Sequence, residues 1–233
     1  MTEKPACVDG RDPRFVALLE SAAHLQRLVP GAVLVGGAAA ILYADHRESS
    51  DHDHVVADLA DRFEMVLEAV EEDEGWATNR VTPGKVILGN LDGIEAGVRR
   101  MIRKVPLEVA TVTVPSGGEV TVPTAEETLR IKAFLVVRRN QARDYLDLAA
   151  LSEQLGVERA AAVLARIDDY YADQHDEGDG VASQLTRQLS DPLPADRSVI
   201  DQLPSYRRLR RRWSDWSAVT GVLGSVAASM ASQ

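Results

Sequence analysis

The stretch "LVGGAAAILYADHRESSDHDHVV", Leu34 to Val56, decides how this chain is read. An apolar run ends in two glycines, thirteen residues intervene, and Asp51-His52-Asp53-His54 then alternates acid and imidazole. On a strand, successive side chains point to opposite faces, so Asp51 and Asp53 would share one face and His52 and His54 the other. Two neighbouring carboxylates repel unless a cation lies between them, which invites a hard divalent metal with oxygen ligands. Two such ions can clamp the attacking and leaving oxygens of a phosphoryl-type displacement. The Gly36-Gly37 turn leaves backbone N–H groups open at a helix start, a cradle for phosphate. Ser49 and Ser50 add hydroxyls beside it. Two other readings stay open. The acids can lie on an exposed turn, satisfied by solvent or by Arg47. Alternatively, His46, His52 and His54 can form a transition-metal site, which needs a loop rather than a strand and lacks a Cys or an H-E-x-x-H pattern. His54 stands out as a polar residue at a position expected to be buried, with a backbone carbonyl or an acid expected beneath it.

Working outward, "RFVALLESAAHLQRLV" (14–29) has helical spacing and stops at Pro30-Gly31. "AVLVGG" reads as a short strand entering a turn, "AAAILYAD" as a helix after it, and "SDHDHVVADL" as the next strand. An amphipathic helix is expected from Asp58 to Glu74, its acidic end a solvated face. From Trp76 to Val122 the pattern is short strands and turns, with a hairpin closing across Pro115–Gly118. The texture changes at Thr124. Thr124-Ala125-Glu126-Glu127 is a capping-box pattern, and helices alone are expected after it, interrupted at 173–180 and 190–197. These features predict an α/β (α+β) half over 1–123 and an all-helical half over 124–233, with no internal repeat.

Composition limits the classes available. With 233 residues and 45% hydrophobic content, the chain has ample material for a core. Its one cysteine, Cys7, leaves no internal disulfide partner and suits a reducing cytosol. "MTEKPACVDG" has no apolar signal region, and no run approaches the ~18 apolar residues of a membrane span. The expectation is a soluble, cytoplasmic protein that does not engage a membrane. A net charge of -10 argues against coating nucleic acid by bulk charge. Local clustering matters more: "RRLRRR", Arg207 to Arg212, carries Arg207, Arg208, Arg210, Arg211 and Arg212. Tyr206, Leu209, Trp213, Trp216 and Val219 have helical spacing. A helix anchored by that stripe would turn the arginines outward, toward a structured RNA. The competing reading is a solvated helix paired with the protein's own acids, such as those of the "DEGD" loop.

The first motif resembles the active-site signature of the polymerase-β-like nucleotidyltransferase superfamily: Gly-Gly or Gly-Ser, a spacer, then Asp-x-Asp on the next strand. "RESSDHD" (47–53) looks like the Arg-x-Thr/Ser-x-Asp-x-Asp form of one branch, the AbiEii-type toxins of bacterial toxin–antitoxin systems. "AEETLRIKAFLVVRRNQARDYLDLAAL" (125–151) is similar to that family's second motif, through Lys132, Arg138 or Arg139, and Arg143-Asp144-Tyr145-Leu146-Asp147-Leu148. Lys132 and Asp147 are fifteen residues apart. One unbroken helix would separate them by about 22 Å, so two antiparallel helices are predicted, turning at Arg138–Gln141. Without the resemblance, Lys132 reads as a surface residue and Arg143–Asp147 as an i,i+4 ion pair.

The resemblance implies a small mixed nucleotidyltransferase sheet with flanking helices, and a helical domain that completes the site and binds the acceptor. Asp51 and Asp53 would hold Mg²⁺ at the α-phosphate, with Glu108 in "PLEVATV" the candidate third acid. Lys132 would neutralise the triphosphate of an NTP, and Ser49 would hydrogen-bond its oxygens. Asp147 would either orient the acceptor hydroxyl or fix Lys132, and Arg47 and Arg143 would be further phosphate contacts. Some relatives add nucleotides to the 3′ end of tRNA, so the leading expectation is a toxin that does this under a cognate antitoxin. The alternatives are an antibiotic-type small-molecule nucleotidyltransferase and a degenerate member that binds RNA or protein.

Overall fold

The computed structural model describes residue 8 and residues 10–174, 179–205 and 209–233. Cys7, Tyr206, Arg207 and Arg208 lie outside the described residues, as do three positions of the "DEGD" loop. The chain divides into two compact units, Met1–Leu42 with Ser49–Thr124, and Tyr43–Glu48 with Ala125–Gln233. The division is therefore not the single cut at 123 expected from texture, because six residues just before the acidic strand belong with the helical unit.

In the first unit, α1 (Pro13–Leu28) starts where Asp12 accepts a hydrogen bond from the Arg14 N–H and proline occupies the first turn. Strand β1 (Val33–Val35) runs straight into α2 (Gly36–Ala44), so the helix begins on the glycines themselves. Strand β2 (Asp51–Val56) follows. Residues 57–62 form turns rather than the expected helical start, with Arg62 bonded to the Asp58 side chain and to the Pro30 carbonyl. Helix α3 is shorter than expected, Phe63–Glu71. Strands β3 (Trp76–Thr82), β4 (Val86–Leu91) and β5 (Ile94–Arg100) complete a five-stranded mixed sheet of order β1-β2-β5-β4-β3. Only β2 and β5 run parallel; Asp92 and Gly93, both at positive φ, make the tight β4–β5 turn. One face of this sheet is buried. Val56, Ile87, Ala96 and Val98 form one core with Leu25 and Val29, and with Phe63, Val66 and Val70. The expected hairpin is a separate two-stranded sheet, β6 (Val109–Thr113) with β7 (Glu119–Pro123).

The second unit is helical: α4 (Ala125–Arg139), α5 (Ala142–Leu155), α6 (Val157–Ala165), α7 (Asp168–Tyr171), α8 (Val181–Ser190), α9 (Ser198–Gln202) and α10 (Trp216–Met230). Asn140, at φ +51°, breaks α4 from α5, and its side-chain oxygen accepts from the Tyr145 hydroxyl. The polar break thus falls within the predicted segment. Phe134 stacks on Tyr171 at 4.1 Å, and Leu129, Leu148, Leu164, Leu185 and Leu223 are fully buried in the same unit.

The helix expected through the arginine run is corrected. Arg211–Ser214 is a 3-10 turn, Asp215 is extended, and its carboxylate caps α10 by accepting from the Ser217 N–H. A carboxylate directly before Trp216 starts a new helix there and ends the old direction. Among the described residues no helix is long and apolar enough to cross a membrane.

Candidate active site

Strand β2 separates its residue types as alternation requires: His52, His54 and Val56 are buried, while Asp51, Asp53 and Val55 are half-buried. Asp51, Asp53, Asn79, Leu88, Glu95 and Arg99 line a cavity of about 250 Å³, to which His52 and Gly97 also contribute. Two glycines make room for the acids. Gly36, at φ +75°, has Asp53 within 3.6 Å of where its Cβ would be. A Cβ on Gly97 would stand 2.5 Å from Asp53 Oδ1. Ser49 Oγ donates to Asp51 Oδ1 at 3.2 Å, and Arg99 Nε donates to Asp53 Oδ1 at 3.1 Å. Ser50 is exposed and does not line this cavity.

The other face holds imidazoles in the core. His52 shares a 3.0 Å hydrogen bond with Ser21 Oγ and meets the His54 ring edge-on at 5.2 Å. Burial lowers the His52 pKa to about 4, against a smaller opposing pull from Asp51. His54 lies well below its usual value, through burial and then the neighbouring His52. Among the described residues no carbonyl or acid meets His54: both ring nitrogens are buried without a hydrogen-bond partner there. His46 Nε2 donates to Asp147 Oδ1 at 2.7 Å, and among the described residues no three histidines converge on a point that could hold a metal ion.

In the helical unit, Lys132 and Asp147 meet as the antiparallel pair predicts, Nζ to Oδ2 at 2.7 Å. Lys132 also reaches Asp144 Oδ1 at 3.4 Å. Arg47 grips Asp147 with both arms of its fork, Nε to Oδ1 at 2.7 Å and Nη2 to Oδ2 at 3.0 Å. Burial would push the Asp147 carboxyl up, but Arg47 and Lys132, with hydrogen bonds from His46 and Arg47, hold it well below the usual carboxylate range. Burial lowers His46 despite its bond to Asp147. An anion so saturated has no lone pair left for an acceptor hydroxyl, so of the two roles open to Asp147, this geometry fits fixing Lys132. Arg47, expected as a phosphate contact, is the two-pronged partner of Asp147. Arg143 is exposed and makes no ion pair among the described residues, so the local Arg143–Asp147 pair does not form.

Glu95 and Arg99 were missed in the sequence, and Asp144, part of the second motif, was given no role there. Glu95 pairs in register with Asp51 and so lies on the acidic face, whereas Glu108, the expected third acid, is exposed just before β6. Arg99 follows Gly97 by one period of the strand. Asp144 is buried, and burial raises its carboxyl against the pull of Lys132, leaving Oδ2 without a partner. An Asp-x-x-Asp spacing places Asp144 on the same helix face as Asp147, a signal that was available. Of the arginine run, Arg210 pairs with Asp45, Arg212 Nη2 lies 2.6 Å from Glu153, and Arg211 is exposed.

Two carboxylates and a hydroxyl, with no third ligand converging among the described residues, do not make an all-protein cage. Such a set suits a divalent ion that draws only one or two carboxylates from the protein and the rest from substrate and water. A glycine-started helix, an Asp-x-Asp strand and a mixed sheet open on the acidic face together define a nucleotidyltransferase. A family model, "Nucleotidyl transferase AbiEii toxin, Type IV TA system", matches residues 17–218, and the chain belongs to that family. The crystal structure of JHP933 from Helicobacter pylori shares the fold at a TM-score of 0.51 and 17% identity, over 95% of this chain and 94% of that one. Among curated proteins, the heme uptake protein MmpL11 of Mycobacterium tuberculosis is 40% identical over 116 residues. That match takes 47% of this chain and 12% of the relative. The probable transport protein MmpL11 of Mycobacterium leprae is 43% identical over 91 residues, 39% of this chain and 9% of that one. The chain thus spans a small fraction of these relatives, and their names assign it no activity.

Proposed function

We propose that the chain is a Mg²⁺-dependent nucleotidyltransferase toxin acting in the cytoplasm, held in check by a cognate antitoxin. It transfers a nucleotide from an NTP to the 3′ end of tRNA, releases pyrophosphate and so blocks translation. The observation that carries this is the split of β2, which sends Asp51 and Asp53 into an open cavity and both histidines into the core. Mg²⁺ held by those carboxylates would offset the charge of the α-phosphate. The N–H groups at Gly36 and Gly37 bind phosphate oxygens, and Ser49 orients Asp51 while offering its hydroxyl to the nucleotide. Lys132 supplies a positive charge for the triphosphate, held in place by Asp144 and Asp147. Such a site works through positioning and charge neutralisation rather than covalent help.

The test is to incubate the protein with Mg²⁺, labelled NTPs and total tRNA. Label should appear in tRNA with the wild type and not with Asp53→Ala. A net charge of -10 argues against holding RNA by bulk charge and favours a second reading, in which the acceptor is a small molecule. Labelling of an aminoglycoside with none in RNA would establish that reading and sink the tRNA one.

A further inference from the structure

The cavity beside Asp51 and Asp53 has three acidic residues in its lining and a single basic one, Arg99. A polyphosphate entering it meets that guanidinium as the cation of the wall. Arg99 makes one ion pair among the described residues, through Nε to Asp53 Oδ1. The pair follows from the sheet. Asp53 lies opposite Gly97 and Val55 opposite Arg99 on the parallel strands β2 and β5, so both charged side chains rise from one face. The bare Cα of Gly97 gives the Asp53 carboxylate room to lie over β5, where a Cβ would block it.

This ion pair is built unlike the one in the helical unit. Arg99 and Asp53 side chains are 42% and 31% exposed, while Arg47 and Asp147 are 8% and 0% exposed. A solvated pair is weak and exchanges its partner readily. It also engages Asp53 through one N–H, leaving the other guanidinium donors for anionic oxygens.

We propose that Arg99 is the exchangeable counter-cation of Asp53: it competes with the divalent ion for that carboxylate and, once displaced, takes an anionic oxygen of the nucleotide. The proposal rests on the reading of Asp51 and Asp53 as metal-binding. Arg99 is then a positioning residue toward the metal and a specificity residue toward the triphosphate. It discourages occupation by metal alone and favours the metal arriving together with the nucleotide.

The test is Mn²⁺ binding to the intact protein without nucleotide, followed by electron paramagnetic resonance, for the wild type, Arg99→Gln, Arg99→Lys and Asp53→Asn. Removing the competing charge in Arg99→Gln should tighten Mn²⁺ binding on the order of fivefold, as expected for a solvent-exposed pair. Arg99→Lys should stay near the wild type, and Asp53→Asn should lose most of the binding. In parallel, Arg99→Gln should raise the KM for NTP about tenfold with kcat little changed, and Arg99→Lys should recover part of it. A residue that merely supports the fold would not tighten metal binding when removed. Unchanged or weaker Mn²⁺ binding in Arg99→Gln, with Asp53→Asn impaired, overturns the proposal and leaves the metal reading standing. Full Mn²⁺ binding by Asp53→Asn overturns the metal reading and the proposal with it.

Discussion

Asp53 and Asp147 are both aspartates paired with arginine, yet they sit in opposite circumstances. Asp53 is half-buried on an open sheet face and has one donor, Arg99. Asp147 is fully buried and takes hydrogen bonds or ion pairs from His46, Arg47 and Lys132. The first has coordination to spare and can bind something from outside. The second has none and can only hold what surrounds it. The same side chain is thus a ligand in one unit and a fastener in the other, and surroundings rather than residue type set the difference.

The sharpest way to break this comparison is to remove each carboxylate. Asp53→Ala should lower nucleotidyl transfer on the order of 10²- to 10³-fold, as loss of a transition-state charge contact does, while thermal melting stays close to the wild type. Asp147→Ala should do the reverse first. It strands Arg47 and Lys132 in the interior and should cost about 3–5 kcal/mol in denaturant unfolding. If Asp147→Ala were as stable as the wild type but inactive, its role as a fastener would be refuted.

A third experiment uses pH. The denatured chain protonates its histidines near the usual 6.5, whereas folded His52 stays neutral down to about 4 and burial holds folded His54 well below its usual value. Between those values the unfolded state binds more protons, so stability is full above 6.5 and falls as pH drops toward 4. His52 alone accounts for about 3 kcal/mol of that loss. Equilibrium unfolding at pH 7 and pH 4.5 should show it, with a smaller slope in His52→Gln.

Much of the acidic site was legible because period-two alternation is a local property. Once "SDHDHVV" is a strand, Asp51 and Asp53 must share a face. The Lys132–Asp147 meeting was legible too, because a fifteen-residue separation and a polar break leave one way for the two to touch. What escaped was long-range register. Nothing local to Glu95 or Arg99 says that β5 lies parallel beside β2, and Glu108 was chosen by its place in the chain order. Arg47 escaped for the same reason, since its partner lies 100 residues away. The helix through the arginine run failed locally: Asp215 is a good N-cap, and hydrophobic spacing alone did not reveal it.

Two smaller changes sharpen the comparison further. Gly97→Ala puts a methyl group where Asp53 Oδ1 lies, so the carboxylate must turn aside. About tenfold loss of activity is expected with less than about 1 kcal/mol of stability, because the displaced atom is the end of a side chain. Arg212→Ala should be the mildest. Its pair with Glu153 is about half exposed on both sides, and about 0.5 kcal/mol or less is expected in unfolding. A marked drop in tRNA labelling by that variant would instead restore a nucleic-acid role to the basic run.

The excursion of Tyr43–Glu48 into the helical unit has a consequence in time. His46 and Arg47 leave the ribosome about a hundred residues ahead of Asp147, the anion that receives them both. At about 5–20 residues per second, that is a delay of roughly 5 to 20 s. During it, two donors destined for the interior stay in water beside a finished acidic strand. A nascent chain therefore exposes its Asp-x-Asp residues well before it can fasten its lysine.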